Sequence, residues 1–572
     1  MTRWLVLVPL IFSIFSMTPV AGATLGFSPG YAASMRQLIQ WSTASPYVTV
    51  HRFGTSAAGR PLQAAIVSSP PNSTSVGALT AHKLVVFVLS GLDVGDVAGK
   101  DASLAWLKQV ADAARSPGWL KQLTVVVVPA LNADGLARLS GKTGIPVTQA
   151  QDAAFQGTPG LVDLRHDFLY ARSAAVRSWL RLVRQWQPDV YIVLRTNLRQ
   201  PPGRYRLAWS QPPPIGYALP VARWLHAAFG DLTRLFYRVG LGVTSCYQAR
   251  RLAVLEAGLQ SCPPEKGGLA QLALLDNRPE LTLILPRDQD YSRAVEAGTL
   301  GLKTVLSRLA GRSRSLLDAL ARAERDPLGG KSRFPIGFDF RGRGDSRRFD
   351  GYQYTTMLSP ISGTVWARYL PHHPKTYVLP WARNIGVTGW LKPWPTYALS
   401  GAWRRVIDLL KLHGVTVQTV TKPRNTRAAI YYLDQSPESG LGREPRAVAY
   451  TPVMATVTLP MGSVIIPGSQ PQAKLVAALL LPRSPVAVIH GGYLRGLSTT
   501  HVMVPNAALE QRARDELSKN PNLARKFARR LAENPEFARS PSRRLAFFLR
   551  HSGSQQPLLD VYPVYRLAPP GK

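Results

Sequence analysis

The sequence predicts an α/β fold over residues 24–325, with a mainly parallel or mixed sheet covered by helices. Two observations carry this. Four apolar runs, "KLVVFVLSG" (83–91), "LTVVVVPALN" (123–132), "DVYIVLRTN" (189–197) and "LTLILP" (281–286), lack polar alternation, as strands do when both faces are covered. Between them lie stretches of helical period such as "KDASLAWLKQVADAA" (100–114) and "AAVRSWLRLVRQW" (174–186). Strands alternating with helices make an α/β layer.

A chain of 572 residues has room for two or three domains. Residues 326–351, rich in Gly, Arg and Pro, read as a linker or long loop. Beyond it, 352–572 reads as a smaller mixed α/β region followed by a helical segment. One helix, "SGAWRRVIDLLKLHG" (400–414), is ended by Gly414. The start of the chain, 1–23, has Arg3, an apolar run and then Ala21-Gly22-Ala23. That is the pattern of a secretory signal peptide, so the protein is expected to be exported, periplasmic or extracellular. No later stretch reaches the roughly 18 apolar residues of a spanning helix, so no transmembrane segment is expected.

Cysteine usage fits an oxidising compartment. The chain has two cysteines, Cys246 and Cys262. They are a candidate disulfide, worth about 3 kcal/mol by chain entropy, or else two buried thiols. The formal charge of +36 attracts polyanions. For an exported protein the expected partners are peptides or anionic envelope components rather than nucleic acid. No Gly-x-Ser-x-Gly elbow and no phosphate-cradling loop is found.

In an open α/β sheet, ligands bind outside the carboxyl ends of the strands. Asp93 and Asp96, the turn Asn132–Gly135, Arg195 and Ile284 fall at such ends. Nearly the whole chain, in order, resembles the zinc carboxypeptidases, in particular long exported bacterial forms. The segment "SPYVTVHRFGTSAAGRPLQAAIVS" (45–68) is similar to the family's start, with Gly54, Ser56, Gly59 and Arg60 in place. "GLDVGDVAGKDA" (91–102) resembles the motif in which a His and a Glu three residues later bind zinc. "VPALNADG" (128–135) is similar to its Asn-Pro-Asp-Gly turn, and "VDLRHDFLYA" (162–171) to its Asn-Leu-Asn-Arg-Asp segment. "WQPDVYIVLRTN" (186–197) resembles the third-ligand strand, and "NRPELTLILPRDQDYSRAV" (277–295) the strand of the catalytic glutamate. Downstream, "HGVTV", "GSVIIPGSQPQAKLVAALLLPRSP" and "VYPVYRL" resemble the C-terminal region of the long forms.

The resemblance implies a zinc-carboxypeptidase-like fold and a site whose side chains have changed. Asp93 stands for the first His, Asp96 for the Glu and Arg195 for the second His. Ile284 stands for the general base, and His166 for the arginine that holds the substrate carboxylate. Arg195 has no lone pair and cannot bind a metal, and Ile284 has no proton to exchange. No catalytic residue is intact, and no metal or other cofactor is expected. His166 and Arg195 remain as candidate cleft residues. Two arrangements of the acids stay open: an Asp93–Arg195–Asp96 ion cluster in place of zinc, or capping of the helix that begins near Gly99. The resulting expectation is a catalytically inactive binding or regulatory module. The alternative is an active metallocarboxypeptidase with an atypical zinc site.

Overall fold

The computed structural model describes residues 27–70, 74–139, 145–146, 162–196, 201–251, 254–286, 291–340, 342, 344–361, 363–431, 452–494, 506–539, 544, 547–548 and 562–568. The expected signal peptide at 1–23 lies outside the described residues.

In chain order, β1 (Val48–Thr55) and β2 (Pro61–Val67) form an antiparallel pair. They are followed by β3 (Leu84–Leu89), β4 (Leu123–Val128) and β5 (Val190–Thr196). Next come β6 (Leu207–Ser210), β7 (Val243–Ser245), β8 (Tyr247–Ala249), β9 (Leu259–Ser261) and β10 (Glu280–Leu285). Among the described residues the largest sheet has eight strands in the order β1-β2-β4-β3-β5-β10-β6-β7. The pairs β4–β3, β3–β5 and β5–β10 are parallel, and the edges are antiparallel except for β6–β7. Every residue of β3, β4 and β10 is buried, which is why these strands read as unbroken apolar runs. The fold class is therefore the mixed α/β one expected.

Helices α1 (Tyr31–Ala44), α2 (Val97–Ala111), α3 (Ala174–Trp186), α4 (Leu269–Leu275) and α5 (Tyr291–Ala310) cover this sheet. Ser173 starts α3 by accepting the Val176 N–H, and the apolar side of the helix, with Val176, Trp179 and Leu180, is buried. From β3 the chain turns to β4 on one side, and later places β5 on the other. That is a topological switch point, and its crevice opens at the carboxyl ends of the strands.

Residues 326–351, expected as a linker or long loop, carry β11 (Phe334–Phe340) and the first half of β12 (Asp345–Leu358). β12 pairs with β13 (Val365–Ala382) in a long antiparallel hairpin, and the foot of β13 joins β9. Their Arg, Asp and Gly content masks the strand pattern because most of the hairpin's side chains face solvent. Further on, a six-stranded antiparallel sheet lies between Thr396 and Leu567.

The apolar core is continuous from the central sheet into α6 (Arg404–Leu412) and α7 (Ala473–Leu480). Lys474 of α7 is buried and donates to Gly216 O (3.1 Å), Leu274 O (2.6 Å) and Asn277 Oδ1 (2.7 Å), tying α7 to the end of α4. His413 Nε2 donates to Leu169 O at 3.1 Å. No described helix is long and apolar enough to cross a membrane.

Candidate functional site at the carboxyl ends of the central strands

The turn after β3 is shaped by Gly91. Its φ of +62° suits glycine, and a Cβ there would lie 2.8 Å from Ala130 Cα. This turn delivers Asp93 and Asp96 to the crevice. Asp96 occupies the N-cap position of α2, yet its side chain makes no cap hydrogen bond. It is buried instead, with Oδ2 accepting from Gly91 N (3.0 Å) and Oδ1 from Thr196 N (2.7 Å) and Thr196 Oγ1 (3.2 Å). Asp96 thus stitches the carboxyl ends of β3 and β5 together. Burial, with the Asp93 charge adding, pushes its carboxyl up to about 7 against the opposing Thr196 bonds.

Asp93 lies nearer the surface and pairs with Arg165 Nε at 3.2 Å. Burial pushes it up to about 6, although Arg165 and Arg195 both pull the other way. Arg165 also grips Asp163, with Nη2 2.6 Å from Oδ2 and Nε 3.0 Å from Oδ1. Burial alone would raise Asp163, but the hydrogen bonds and charge of Arg165 hold it below its ordinary value.

Arg195, at the end of β5, donates from Nη1 to Glu265 Oε1 at 3.0 Å. The two side chains are 28% and 32% exposed, so this pair faces the crevice. Burial would raise Glu265, but Arg195, then Arg165 and His166, hold it below its usual range. Arg195 Nε is buried with no hydrogen-bond partner among the described residues. The loop bearing Glu265 reaches the site through Gly267 (φ +75°), where a Cβ would lie 2.6 Å from His166 O. His166 donates from Nδ1 to Lys266 O at 2.9 Å, and its Nε2 is 3.8 Å from Asp163 Oδ2, half-exposed at the rim.

Ile284 is the register partner of Arg195 across the parallel β5–β10 pair. It is buried against Ala208 and Cys246, with Cys262 packed alongside. Cys246 and Cys262 are joined in a disulfide with a Cα–Cα distance of 5.5 Å.

The structure thus corrects both arrangements expected of the two acids. Arg195 does not bridge Asp93 and Asp96. The Asp96 oxygens are already taken by Gly91 and Thr196, and Arg195 leans instead to Glu265. Nor does either acid cap α2 through its side chain. Asp163, Arg165 and Glu265 went unread as site residues. Arg165 stands one residue before His166, and Glu265 follows the second cysteine in "CPPEKGG". The disulfide and Gly267 were the signals that this loop folds back, but 70 residues separate Glu265 from Arg195.

The residues that most resembled the family's motifs do scaffolding. Asp134 accepts from Ser56 Oγ (2.7 Å), Ala58 N (3.2 Å) and Arg60 Nη1 (2.8 Å). Asn132 donates to Leu92 O (3.1 Å) and accepts from Gly135 N (3.0 Å), holding the β4 turn beside the β3 turn. A groove of about 520 Å³ elsewhere, lined among others by Arg404, Asp408, Lys411 and Met461, includes none of these residues. No group of three or more His, Cys, Asp or Glu side chains among the described residues is arranged to hold a metal ion.

A family model for zinc carboxypeptidase matches residues 35–173. This part of the chain is zinc carboxypeptidase-like. Solved structures similar to the chain include a metallo-carboxypeptidase from Burkholderia cenocepacia, at 14% identity and TM-score 0.36, covering 49% of this chain and 68% of that one. Another is carboxypeptidase A from Helicoverpa armigera, at 16% identity and TM-score 0.35, covering 50% of this chain and 73% of that one. A third is a metallo-carboxypeptidase from Pseudomonas aeruginosa in complex with (2-guanidinoethylmercapto)succinic acid, at 17% identity and TM-score 0.34, covering 49% and 68%. No curated protein matches the chain. The carboxypeptidase-like segment 35–173 holds Asp93, Asp96, Asp134, Asp163 and His166, whereas Arg195, Glu265 and Ile284 lie beyond it.

Proposed function

We propose that the protein is an exported, catalytically inactive relative of the zinc carboxypeptidases, whose crevice binds carboxylate-bearing ligands without cleaving them. The observation that carries this reading is the Arg195–Glu265 pair at 3.0 Å, since the resemblance to the family assigns a zinc ligand to the position of Arg195. A guanidinium offers no lone pair and repels a divalent ion. The neighbouring donors fit zinc no better, because Asp96 already accepts three hydrogen bonds and Asp93 is paired with Arg165. Ile284, buried against Ala208 and the disulfide, leaves no base at that point to activate water.

What remains suits recognition. Arg195 is partly exposed, its Nε makes no hydrogen bond to the described residues, and His166 stands at the rim. Together they can receive the terminal carboxylate of a peptide or an anionic envelope fragment. Titrating the mature protein with short peptides that have free or amidated C-termini tests this. Binding of the free acids, weakened at least about fivefold by amidation or by Arg195→Gln, is expected. Equal affinity for both peptide sets removes the carboxylate role. Release of C-terminal residues in a zinc-dependent manner favours the active alternative.

A further inference from the structure

The β12–β13 hairpin ends in an apolar tip that none of the described residues covers. Ser359 N donates to Thr364 O (2.9 Å) and Gly363 N to Ser359 O (3.0 Å), closing a turn that carries Ile361 at its apex. Ile361 is 96% exposed and Leu358 69%, and Met357, Val365 and Trp366 are exposed beside them. In the ladder Leu358 pairs with Val365 and Met357 with Trp366. Successive pairs point to opposite faces, so both faces of the tip are apolar. A flat protein surface covers one face of such a wedge, whereas a lipid layer surrounds it.

The rest of the hairpin has the gradation of an interfacial anchor. Below the tip come the rings of Tyr354 and Tyr369, tilted against each other with centroids 5.4 Å apart, and Tyr and Trp favour the headgroup level of a bilayer. Arg368, His372, His373 and Lys375 are exposed along β13. From Gly351 to Ile407 the sequence contains no Asp or Glu, and exposed Glu256 of a neighbouring loop meets the hairpin below the tip, where it accepts the Tyr354 hydroxyl. The net charge of +36 draws the whole chain to such a surface.

From this we infer that the hairpin tip docks the protein on an anionic membrane surface, with Leu358, Ile361, Val365 and Trp366 entering the boundary between headgroups and acyl chains. The basic surface supplies the attraction, and the tip supplies the anchor.

The test is sedimentation of the full mature chain with phosphatidylcholine vesicles, with and without about one-third phosphatidylglycerol. Binding to the anionic vesicles is expected, with part of it surviving high salt. The double variant Leu358→Asp/Ile361→Asp should melt as the parent does, because both side chains are already in water. It should lose roughly tenfold or more in partitioning. Unchanged partitioning of the variant overturns the inference, as does complete loss of parent binding in salt, which would leave charge alone. A parent that ignores vesicles but is shifted from dimer to monomer by the same substitutions overturns it too, and assigns the tip to a second copy of the chain.

Discussion

Two clusters of carboxylate and arginine lie at the carboxyl ends of the central strands, and they differ in what they hold. Around Asp134, the side chains of Ser56 and Arg60 and the Ala58 N–H converge on one buried acid, tying the turn after β4 to the loop between β1 and β2. Around Asp93 the pattern is a chain of opposite charges: Asp163, Arg165 and Asp93 on one side, Glu265 and Arg195 on the other. The first cluster includes Ser56 and Arg60 of the segment that resembles the family's start, and the second lies where the resemblance assigns the ligands. The contrast teaches that two kinds of acid share this end of the sheet, one kind satisfied by backbone and hydroxyl donors and the other by arginine. Its turns are held by acids bonded to backbone and hydroxyl donors, and Asp96 belongs with that scaffold despite its position in the ligand motif.

Several substitutions sharpen or break this division, and the largest effect is expected at Asp96. Asp96→Ala strands two buried backbone donors, Gly91 N and Thr196 N, and should destabilise the protein by about 4 kcal/mol in denaturant unfolding. A loss below about 1 kcal/mol would move Asp96 out of the scaffold. Asp134→Ala should follow at about 3 kcal/mol, since it frees Ser56, Ala58 and the half-exposed Arg60 together.

Within the ion chain, Arg165→Ala should cost more than Arg195→Ala, about 2 against about 1 kcal/mol. Arg165 is buried and serves two acids, whereas the Arg195–Glu265 pair is partly solvated and screened. The reverse order would restore Arg195 as the centre of the cluster.

The smallest effect is a pH dependence with a defined sign. Asp93 and Asp96 are raised from 3.8 to about 6 and about 7 in the folded state. The folded protein therefore binds more protons than the unfolded chain between about pH 4 and 7, and that contribution to stability fades as pH rises through this window. Asp163 and Glu265, held below their ordinary values, act in the opposite sense and only on acidification below about pH 4. Melting temperature should fall from pH 5 to pH 7.5, and Asp96→Asn should flatten the slope. A slope unchanged in that variant would place its origin elsewhere.

Much of the fold was legible because burial writes it plainly. The apolar runs at 83–91, 123–132 and 189–197 contain β3, β4 and β5, the run at 281–286 covers all of β10 but Glu280, and the helix at 174–186 is α3. The β12–β13 hairpin was not legible, since its outer part is wetted on both sides and only its foot, with Phe349, Tyr377, Leu379 and Trp381, packs into a core. At the site, the places of Asp93, Asp96, Arg195 and Ile284 followed from the strands that carry them. The partners did not. Arg195 had two nearby acids in the motif, and only the packing of the loop at Glu265 decides against them. Asp96 gave no sign in sequence that its oxygens were already used by Thr196.

The most direct test of the central claim, that ion pairs occupy the place of the metal, is the metal content of the protein. It is to be purified without chelator, incubated with excess zinc, desalted and analysed, with Arg195→His alongside. The parent should retain far less than one equivalent of zinc, and its melting temperature should not respond to the metal. One tightly held zinc per chain in the parent would contradict the account and return Asp93 and Asp96 to the role of ligands.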